Sequence, residues 1–89
     1  MITVSAILRL GRQSLVRKVA LATDPSSGGT IKIRRRGRRY YDMFNIDDAR
    51  ASTTRKGQVL IRVTPWNGQK SVDYYQSAGW TLIDEAVSV

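Results

Sequence analysis

Short runs in which apolar and polar residues alternate, separated by glycine-containing breaks, constrain the fold of this chain more than any other feature. In the first run, every second residue from Ile2 to Leu10 is apolar, which is the period that puts one set of side chains on a single face of a β-strand. Comparable strand-like runs follow at residues 30–33, 40–46, 59–64 and 80–83. Because each run is short and ends at a turn signal, the pattern predicts a mainly β or small α+β fold.

The breaks between the runs predict how the strands are connected. Residues 24–29 contain a proline and two adjacent glycines, which favour a turn or loop. Asn67-Gly68 is the strongest short signal for a β-hairpin, so residues 71–75 are predicted to form its return strand. We therefore expect an antiparallel meander or a partly closed small barrel. Residues 12–23 fit either one short N-terminal helix or another strand, and residues 47–58 fit a loop or a short helical turn.

The size and composition of the chain predict one domain without disulfide or zinc cross-links. Its 89 residues are enough for a single hydrophobic core, so we expect one domain over residues 1–89. Cysteine and histidine are both absent, which excludes cysteine nucleophiles, histidine-based triads and zinc sites built on thiolates or imidazoles. Four of the seven carboxylates occur as adjacent pairs, at residues 47–48 and 84–85, and neighbours in a strand point to opposite faces. We therefore predict no catalytic residues, no metal, no cofactor and no enzymatic activity.

Basic residues are concentrated in the first half of the chain. Lysine and arginine number 15 against seven aspartates and glutamates, which gives a net charge of +8. Residues 1–41 contain ten of the bases and one acid, Asp24, whereas residues 42–89 contain five bases and six acids. This asymmetry predicts a basic surface on one part of the molecule and a polyanionic partner, either nucleic acid or an acidic protein surface.

The densest basic segment lies at the predicted tip of a hairpin. Gly37 interrupts five arginines between two strand-like runs, and its freedom to adopt a positive φ suits a hairpin tip. In an extended strand, Lys32, Arg34 and Arg36 share one face while the isoleucines beside them point inward. The predicted nucleic-acid contacts are Lys32, Arg34, Arg35, Arg36, Arg38, Arg39, Tyr40 and Tyr41.

Guanidinium groups clustered in this way need anionic partners. They repel one another unless anions are close, and backbone phosphates supply such anions while releasing condensed counterions. Arginine also suits bidentate hydrogen bonding to phosphate, and Tyr40 and Tyr41 can stack on bases. The sequence therefore predicts non-enzymatic binding of the DNA or RNA backbone through an arginine-rich hairpin.

Four residues outside the hairpin are secondary contact candidates. Arg12, Arg17 and Lys18 extend the basic surface if their segment is helical, although an ordinary polar helix face explains them too. Trp66 adjoins the Asn-Gly turn, where burial is hard to arrange. Trp80 and one of the two adjacent tyrosines that precede it are instead expected in the core, because a small β domain needs large side chains to fill it.

The same features fit a second class of function. A small β-rich chain with a basic arm also suits a structural subunit of a larger assembly, such as a phage or virus head or tail component, or a small inhibitor that docks on an acidic protein surface. A homo-oligomer or multi-subunit assembly is compatible with each. The apolar N-terminal run is short, lacks a basic segment before it and is interrupted from Arg9 onward, so we expect neither a signal peptide nor a membrane span. The expected location is the cytoplasm or a virion.

Overall fold

A computed structural model describes residues 2–34, 37–51 and 59–83. These residues form six β-strands and one short helix: β1 (Ile2–Leu10), β2 (Gln13–Leu21), β3 (Thr30–Arg34), β4 (Tyr41–Ala51), β5 (Val59–Pro65), α1 (Val72–Ser77) and β6 (Thr81–Ile83). The prediction of a mainly β or small α+β fold is confirmed. Within the described ranges, no helix has the length and hydropathy needed to cross a bilayer.

All six strands belong to one open sheet, in the order β3-β4-β5-β1-β2-β6. Neighbouring strands are antiparallel except β1 and β5, which run parallel from Val4 opposite Val59 to Leu8 opposite Val63. The sheet is therefore mixed rather than an antiparallel meander, because β1 pairs with a strand from the other half of the chain. Its edge strands β3 and β6 do not meet, so the sheet is not closed into a barrel.

The first two strands form a hairpin with a two-residue turn. The strand predicted over residues 2–10 is confirmed, and residues 12–23 supply a second strand rather than the N-terminal helix that was the alternative. Leu10 lies opposite Gln13, which leaves Gly11 and Arg12 in the turn. Gly11 has a φ of 61°, as expected at the first position of a type II′ turn, where residues other than glycine are strained.

The predicted hairpin at residues 30–46 is confirmed. β3 and β4 pair antiparallel from Thr30 opposite Asn45 to Arg34 opposite Tyr41. We call residues 30–41 the basic hairpin. Beyond it, β4 continues to Ala51, so residues 47–51 form a strand instead of the predicted loop or helical turn, and residues 52–58 lie outside the described residues.

A β-bulge explains how β4 continues through this segment. The register between β4 and β5 shifts between Ile46 and Asp48, which makes Asp47 the extra residue of the bulge. Such an insertion bends a strand and interrupts its alternation without ending its pairing. The polar pair at residues 47–48 is therefore accommodated inside the strand.

The segment after β5 is a helix, where the Asn-Gly signal predicts a return strand over residues 71–75. Ser71 is the N-cap, and its hydroxyl accepts a hydrogen bond from the Tyr74 N–H at 3.2 Å. Asp73 lies in the first turn, where its charge complements the helix dipole. The strand prediction is wrong. The helix places the Tyr75 side chain over the sheet, where it is 1% exposed, and this burial stabilises the helix over a strand.

α1 crosses one face of the sheet on its way from β5 to β6. β5 is parallel to β1, and β2 is antiparallel to β1. Because β6 is antiparallel to β2, β5 and β6 run in the same direction. Phe44 packs against Tyr75 and Trp80, with ring centroids 6.1 and 5.4 Å apart. We call the face beneath α1 the covered face and the opposite one the open face. Apolar side chains from five strands and the α1 segment form the core on the covered face: Val4, Ala6, Leu8, Leu10, Leu15, Ile31, Ile33, Phe44, Ile46, Ile61, Val63, Tyr75, Ala78 and Trp80.

Candidate nucleic-acid interface

The basic hairpin presents its charged side chains on the open face of the sheet. Lys32 and Arg34 are exposed there, whereas Ile31 and Ile33 are buried on the covered face. This alternation, predicted from the sequence, follows from the two-residue period of a strand that packs against a core on one side only. The Arg34 guanidinium carbon lies 5.9 Å from the centre of the Tyr41 ring on the neighbouring strand, which is close enough for a cation–π contact.

The tip of the hairpin adds further cations and an aromatic ring. Gly37 has a φ of 74°, the left-handed conformation expected at a tip. Arg38 and Arg39 are exposed. Tyr40 is 83% exposed and Tyr41 is 54% exposed, so both predicted stacking groups are accessible. Two of the predicted contacts lie outside the described residues, Arg35 and Arg36.

The exposed charge of the hairpin is not neutralised by nearby carboxylates of the described residues. The acid that follows the hairpin, Asp42, faces the covered side, where the Tyr74 hydroxyl lies 2.9 Å from each of its two oxygens and donates to this carboxylate. In the parts of the chain that the structure describes, no carboxylate is within ion-pair distance of four hairpin bases, Lys32, Arg34, Arg38 and Arg39. Their positive charge is therefore available to an external anion.

The open face extends the positive surface beyond the hairpin. Half-buried Ile7, Val16 and Leu60 lie on this face, and basic residues from four strands surround them. These exposed bases are Arg9, Lys18, Arg50 and Arg62. Only Lys18 was among the candidates from sequence. The signal that identifies the other three is alternation, because each stands between two apolar residues of its strand.

Two carboxylates interrupt this positive surface. Asp47 accepts a hydrogen bond from the Thr64 hydroxyl on the open face, and Asp48 forms an ion pair with Arg50, with a nitrogen–oxygen distance of 3.2 Å. The expectation that these neighbouring carboxylates point to opposite faces is wrong, because the bulge breaks the two-residue alternation. The described residues contain no cluster of three or more acidic side chains that could hold a metal ion.

Three of the four secondary candidates are accessible. Arg12 is exposed in the turn between β1 and β2, and Lys18 is exposed on the open face. The Trp66 side chain is 54% exposed, and the Trp66 backbone N–H donates to the Met43 carbonyl at 2.9 Å. This hydrogen bond places Trp66 beside the base of the basic hairpin, so Trp66 is positioned to contact a molecule bound there.

Arg17, the fourth secondary candidate, lies on the covered face. It stands opposite Ala6 of β1, and its guanidinium donates to the Ala78 carbonyl oxygen at 2.7 Å. A β-carbon at Gly79 would lie 3.4 Å from the guanidinium carbon, which shows how closely the backbone after α1 surrounds this group. Arg17 therefore holds α1 on the sheet, and we leave it out of the candidate interface.

The large aromatic residues of the C-terminal segment are structural, as predicted. Tyr75 and Trp80 are 1% and 3% exposed, and their rings meet edge to face with centroids 6.3 Å apart. The Tyr75 hydroxyl accepts a hydrogen bond from the Lys70 backbone N–H at 3.4 Å. Burial raises the pKa of Tyr75, because desolvation disfavours the phenolate. These rings support the hairpin from below and are not available to a ligand.

The chain has no match among protein-family models, curated proteins or solved structures. Its function is therefore inferred from the geometry and charge of the described residues alone. The features that bear on function are an exposed basic hairpin, the adjoining open face and two accessible tyrosines.

Proposed function

We propose that this protein binds nucleic acid, without catalysing a reaction on it, through the basic hairpin and the adjoining open face. The observation that carries the proposal is a set of hairpin bases that project to solvent with no carboxylate of the described residues within ion-pair distance: Lys32, Arg34, Arg38 and Arg39. Like charges held this close raise the free energy of the folded protein unless anions screen them. A bound polyanion removes that cost.

Phosphate suits these side chains better than an isolated carboxylate does. A guanidinium presents a planar fork of donors that matches two oxygens of one phosphate, and neutralising a nucleic-acid backbone releases condensed counterions. Contacts of this kind fix the position of the protein without reading bases. α1 is six residues long and lies on the covered face, so the described residues offer no recognition helix for a groove. We therefore expect little sequence preference.

Binding measurements over a range of salt concentrations test the proposal. Fluorescence anisotropy with a labelled oligonucleotide, prepared as single-stranded DNA, duplex DNA and RNA, gives the association constant at each concentration. We expect affinity to fall steeply with salt, because each phosphate contact contributes about 0.7–0.9 to the slope of log K against log salt. Changing all five arginines of residues 34–39 to alanine is expected to flatten that slope.

A matched pair of single substitutions separates the hairpin from general positive charge. Arg38→Ala and Lys70→Ala each remove one exposed positive charge, the first from the hairpin tip and the second from the loop before α1. We expect Arg38→Ala to lower the slope by roughly one contact and Lys70→Ala to leave it unchanged. Equal slopes for the two variants, or no binding by the wild-type protein at low salt, contradict the proposal.

An acidic protein surface presents carboxylates to the same guanidinium groups. Polyglutamate of matched charge, used as a competitor, distinguishes the two kinds of partner because it carries the charge without bases or phosphates. We expect it to displace an oligonucleotide only at much higher concentration. Displacement at equal charge concentration would favour the acidic protein partner, and with it the small-inhibitor hypothesis.

A second candidate function, a structural subunit of an assembly, is favoured by a stretch of unpaired sheet edge. β6 pairs with residues 14–16 of β2, so residues 17–21 have no strand on their outer side among the described strands. Exposed strand edges pair readily with other chains. Light scattering over a range of protein concentrations tests whether this edge pairs with copies of the same chain, which predicts a defined oligomer in the absence of nucleic acid. A monomer at every concentration excludes self-assembly.

A further inference from the structure

We infer that the nucleic acid bound by this protein is single-stranded and lies flat along the open face, with a base stacked on Tyr41. This inference rests on the proposed function, because it names the class of nucleic acid that the same site would take. Three observations carry it: the hairpin is not a free arm, an exposed ring is paired with an arginine, and a second group of apolar side chains lies farther along the open face.

The basic hairpin is held against the body of the protein almost to its tip. Asp42 is bonded to Tyr74 of α1, and Phe44 is packed beneath Tyr75 and Trp80. Of the described hairpin residues, only Arg34 and residues 37–41 extend past these contacts. The hairpin is thus one side of a wide sheet.

The width of that sheet determines which nucleic acid fits. The major groove of duplex DNA is about 12 Å wide and admits a two-stranded ribbon. Six strands spaced about 4.8 Å apart span about 24 Å, so the sheet cannot follow the hairpin into a groove. A single strand has no groove and can lie along a flat face, as it does on other sheet-based binding domains.

Tyr41 supplies a stacking surface at the start of this path. It lies on the open face opposite Arg34, with the guanidinium carbon 5.9 Å from the ring centre and about half of the side chain exposed. A base stacked on the ring would bring its phosphate close to that guanidinium. Bases within a duplex already have both faces covered by their neighbours, so this surface serves unpaired bases.

The open face also carries apolar side chains that are bordered by lysine and arginine residues. Met43 follows Tyr41 on β4, and three further half-buried apolar side chains, Leu60, Ile7 and Val16, form a second group on the next three strands. Leu60 is opposite Arg50, so Asn45, Thr64 and Arg62 lie between Met43 and this second group. Lys18 lies beside the second group, opposite Ser5 of β1. Of the two carboxylates along the way, Asp48 is paired with Arg50, and Asp47 accepts a hydrogen bond from the Thr64 hydroxyl. Apolar side chains that can contact nucleobases and cationic side chains that can contact phosphates therefore lie side by side on the open face.

Two pairs of variants, measured by anisotropy with a single-stranded oligonucleotide and with the duplex of the same sequence, test the inference. Tyr41→Ala removes the ring, whereas Tyr41→Phe keeps it. Lys18→Glu reverses a charge on the open face, whereas Lys70→Glu makes the same change near α1. Circular dichroism of each variant establishes that it is folded before binding is compared.

We expect the wild-type protein to bind the single strand about tenfold or more tightly than the duplex. Tyr41→Ala is expected to weaken single-strand binding roughly 5- to 100-fold, in line with the loss of one stacked base, while Tyr41→Phe stays within about twofold of wild type. Lys18→Glu is expected to weaken single-strand binding and to lower its salt dependence, whereas Lys70→Glu does neither.

Three results would overturn the inference, and they can be told apart. Tight duplex binding that Tyr41→Ala leaves intact overturns the single-strand path but leaves the proposed function standing. Single-strand binding that neither Tyr41→Ala nor Lys18→Glu affects overturns the open-face path alone. Failure of single-stranded DNA, duplex DNA and RNA to bind at low salt overturns the proposed function and the inference together.

Discussion

Arg17 and Lys18 are neighbours in the sequence with opposite environments. Lys18 is exposed on the open face, whereas the Arg17 guanidinium is partly buried against the end of α1 and donates to the Ala78 carbonyl. The strand period puts successive side chains on opposite faces, so this difference follows once residues 13–21 are known to be a strand. From the sequence alone, Arg12, Arg17 and Lys18 cannot be told apart. A helix and a strand distribute the three side chains differently between the buried and exposed faces, and the sequence leaves both structures open.

Replacing Arg17 tests whether it acts in folding rather than in binding. Arg17→Met keeps most of the aliphatic volume but removes a charged donor from a partly buried carbonyl, so the free energy of unfolding should fall by about 1–3 kcal/mol. Arg12→Met, in the exposed turn, should change it by less than about 0.5 kcal/mol. Urea unfolding followed by circular dichroism measures both. A larger loss from Arg12→Met would show that the Ala78 contact is unimportant.

Tyr75 gives folding stability a dependence on alkaline pH. Its pKa is raised above the ordinary value of 10.0, first by burial, which disfavours the phenolate; the Lys70 backbone hydrogen bond partly offsets this rise, and the negative charge of Asp42 adds a smaller one. The folded state therefore holds the phenolic proton more tightly than the unfolded state. This contribution to stability is complete below pH about 10 and is lost as the pH rises through the higher pKa of the folded protein.

The measurement is the free energy of unfolding between pH about 8 and pH about 11.5, for the wild-type protein and for Tyr75→Phe. The wild-type curve should fall above pH about 10, and the Tyr75→Phe curve should fall less, because that side chain has no proton to lose. Any alkaline loss from lysines is common to the two proteins and cancels in their difference. Parallel curves would show that Tyr75 ionises as freely in the folded protein as in the unfolded chain.

At the scale of elements, a polar contact between Tyr74 and Asp42 joins α1 to β4 just after the basic hairpin. The Tyr74 hydroxyl donates to the Asp42 carboxylate, the first acid after the arginine cluster. This contact holds the negative charge of Asp42 on the covered face, away from the open face. The orientation of the hairpin lysine and arginines therefore depends on α1, a helix that has no residue on the open face.

A double-mutant cycle with Tyr74→Phe and Asp42→Asn measures this contact. Because a hydrogen bond to a charged group contributes about 1.5–3 kcal/mol, Tyr74→Phe should lower the free energy of unfolding by that order, and the double variant should lose less than the sum of the two single losses. Tyr41→Phe is the control, since the Tyr41 hydroxyl has no hydrogen-bond partner among the described residues and its loss should cost less than about 0.5 kcal/mol. Additive effects would show that the two residues act independently.

Strands with one buried face could be predicted from the sequence, and the helix could not. The period of two over residues 2–10 and 30–34 is a local signal that survives in the structure. In the α1 segment, Ser71 as N-cap, Asp73 in the first turn and Gly79 after the end form a helix signal. Adjacent tyrosines and a preceding Asn-Gly turn favour a hairpin equally well. The packing of Tyr75 against the sheet decides between the two structures, and no local pattern contains it.

The candidate site divides in the same way. The basic hairpin is continuous in sequence, so its bases and its two faces could be predicted. The rest of the open face is assembled from β1, β2, β4 and β5, whose order depends on the parallel pairing of β1 with β5. Arg9 and Arg62 come onto one face only through that pairing. A contact between distant segments has no signature in either segment, so these residues could not be placed beside the hairpin from the sequence.

At the scale of the whole molecule, the net charge of +8 opposes folding. Exposed bases repel one another over the Debye length, which shortens from about 30 Å at 0.01 M salt to about 8 Å at 0.15 M. Added sodium chloride should therefore raise the free energy of unfolding of the wild-type protein. The variant with alanine at all five arginines of residues 34–39 should gain less over the same range.

Thermal unfolding in a series of sodium chloride concentrations measures both gains. The comparison isolates the hairpin because hydrophobic and osmotic effects of salt act on the two proteins alike. If the variant gained as much stability as the wild-type protein, repulsion within the hairpin would not be the source of the salt effect. A smaller gain in the variant would indicate that the arginine cluster is a strained part of the free protein.

The central place of β1 in the sheet governs how this chain must mature. β1 precedes every other described strand, and its first neighbour β2 follows after two residues, but its second neighbour begins only at Val59. On a ribosome, the β1–β2 hairpin therefore emerges with both of its edges unpaired and its apolar side bare until β5 and β6, in the last third of the chain, have been made. Such nascent intermediates are prone to aggregate, and closing so long a loop slows folding to roughly milliseconds to seconds. We therefore expect chains that end before β5 to aggregate through the β1–β2 hairpin.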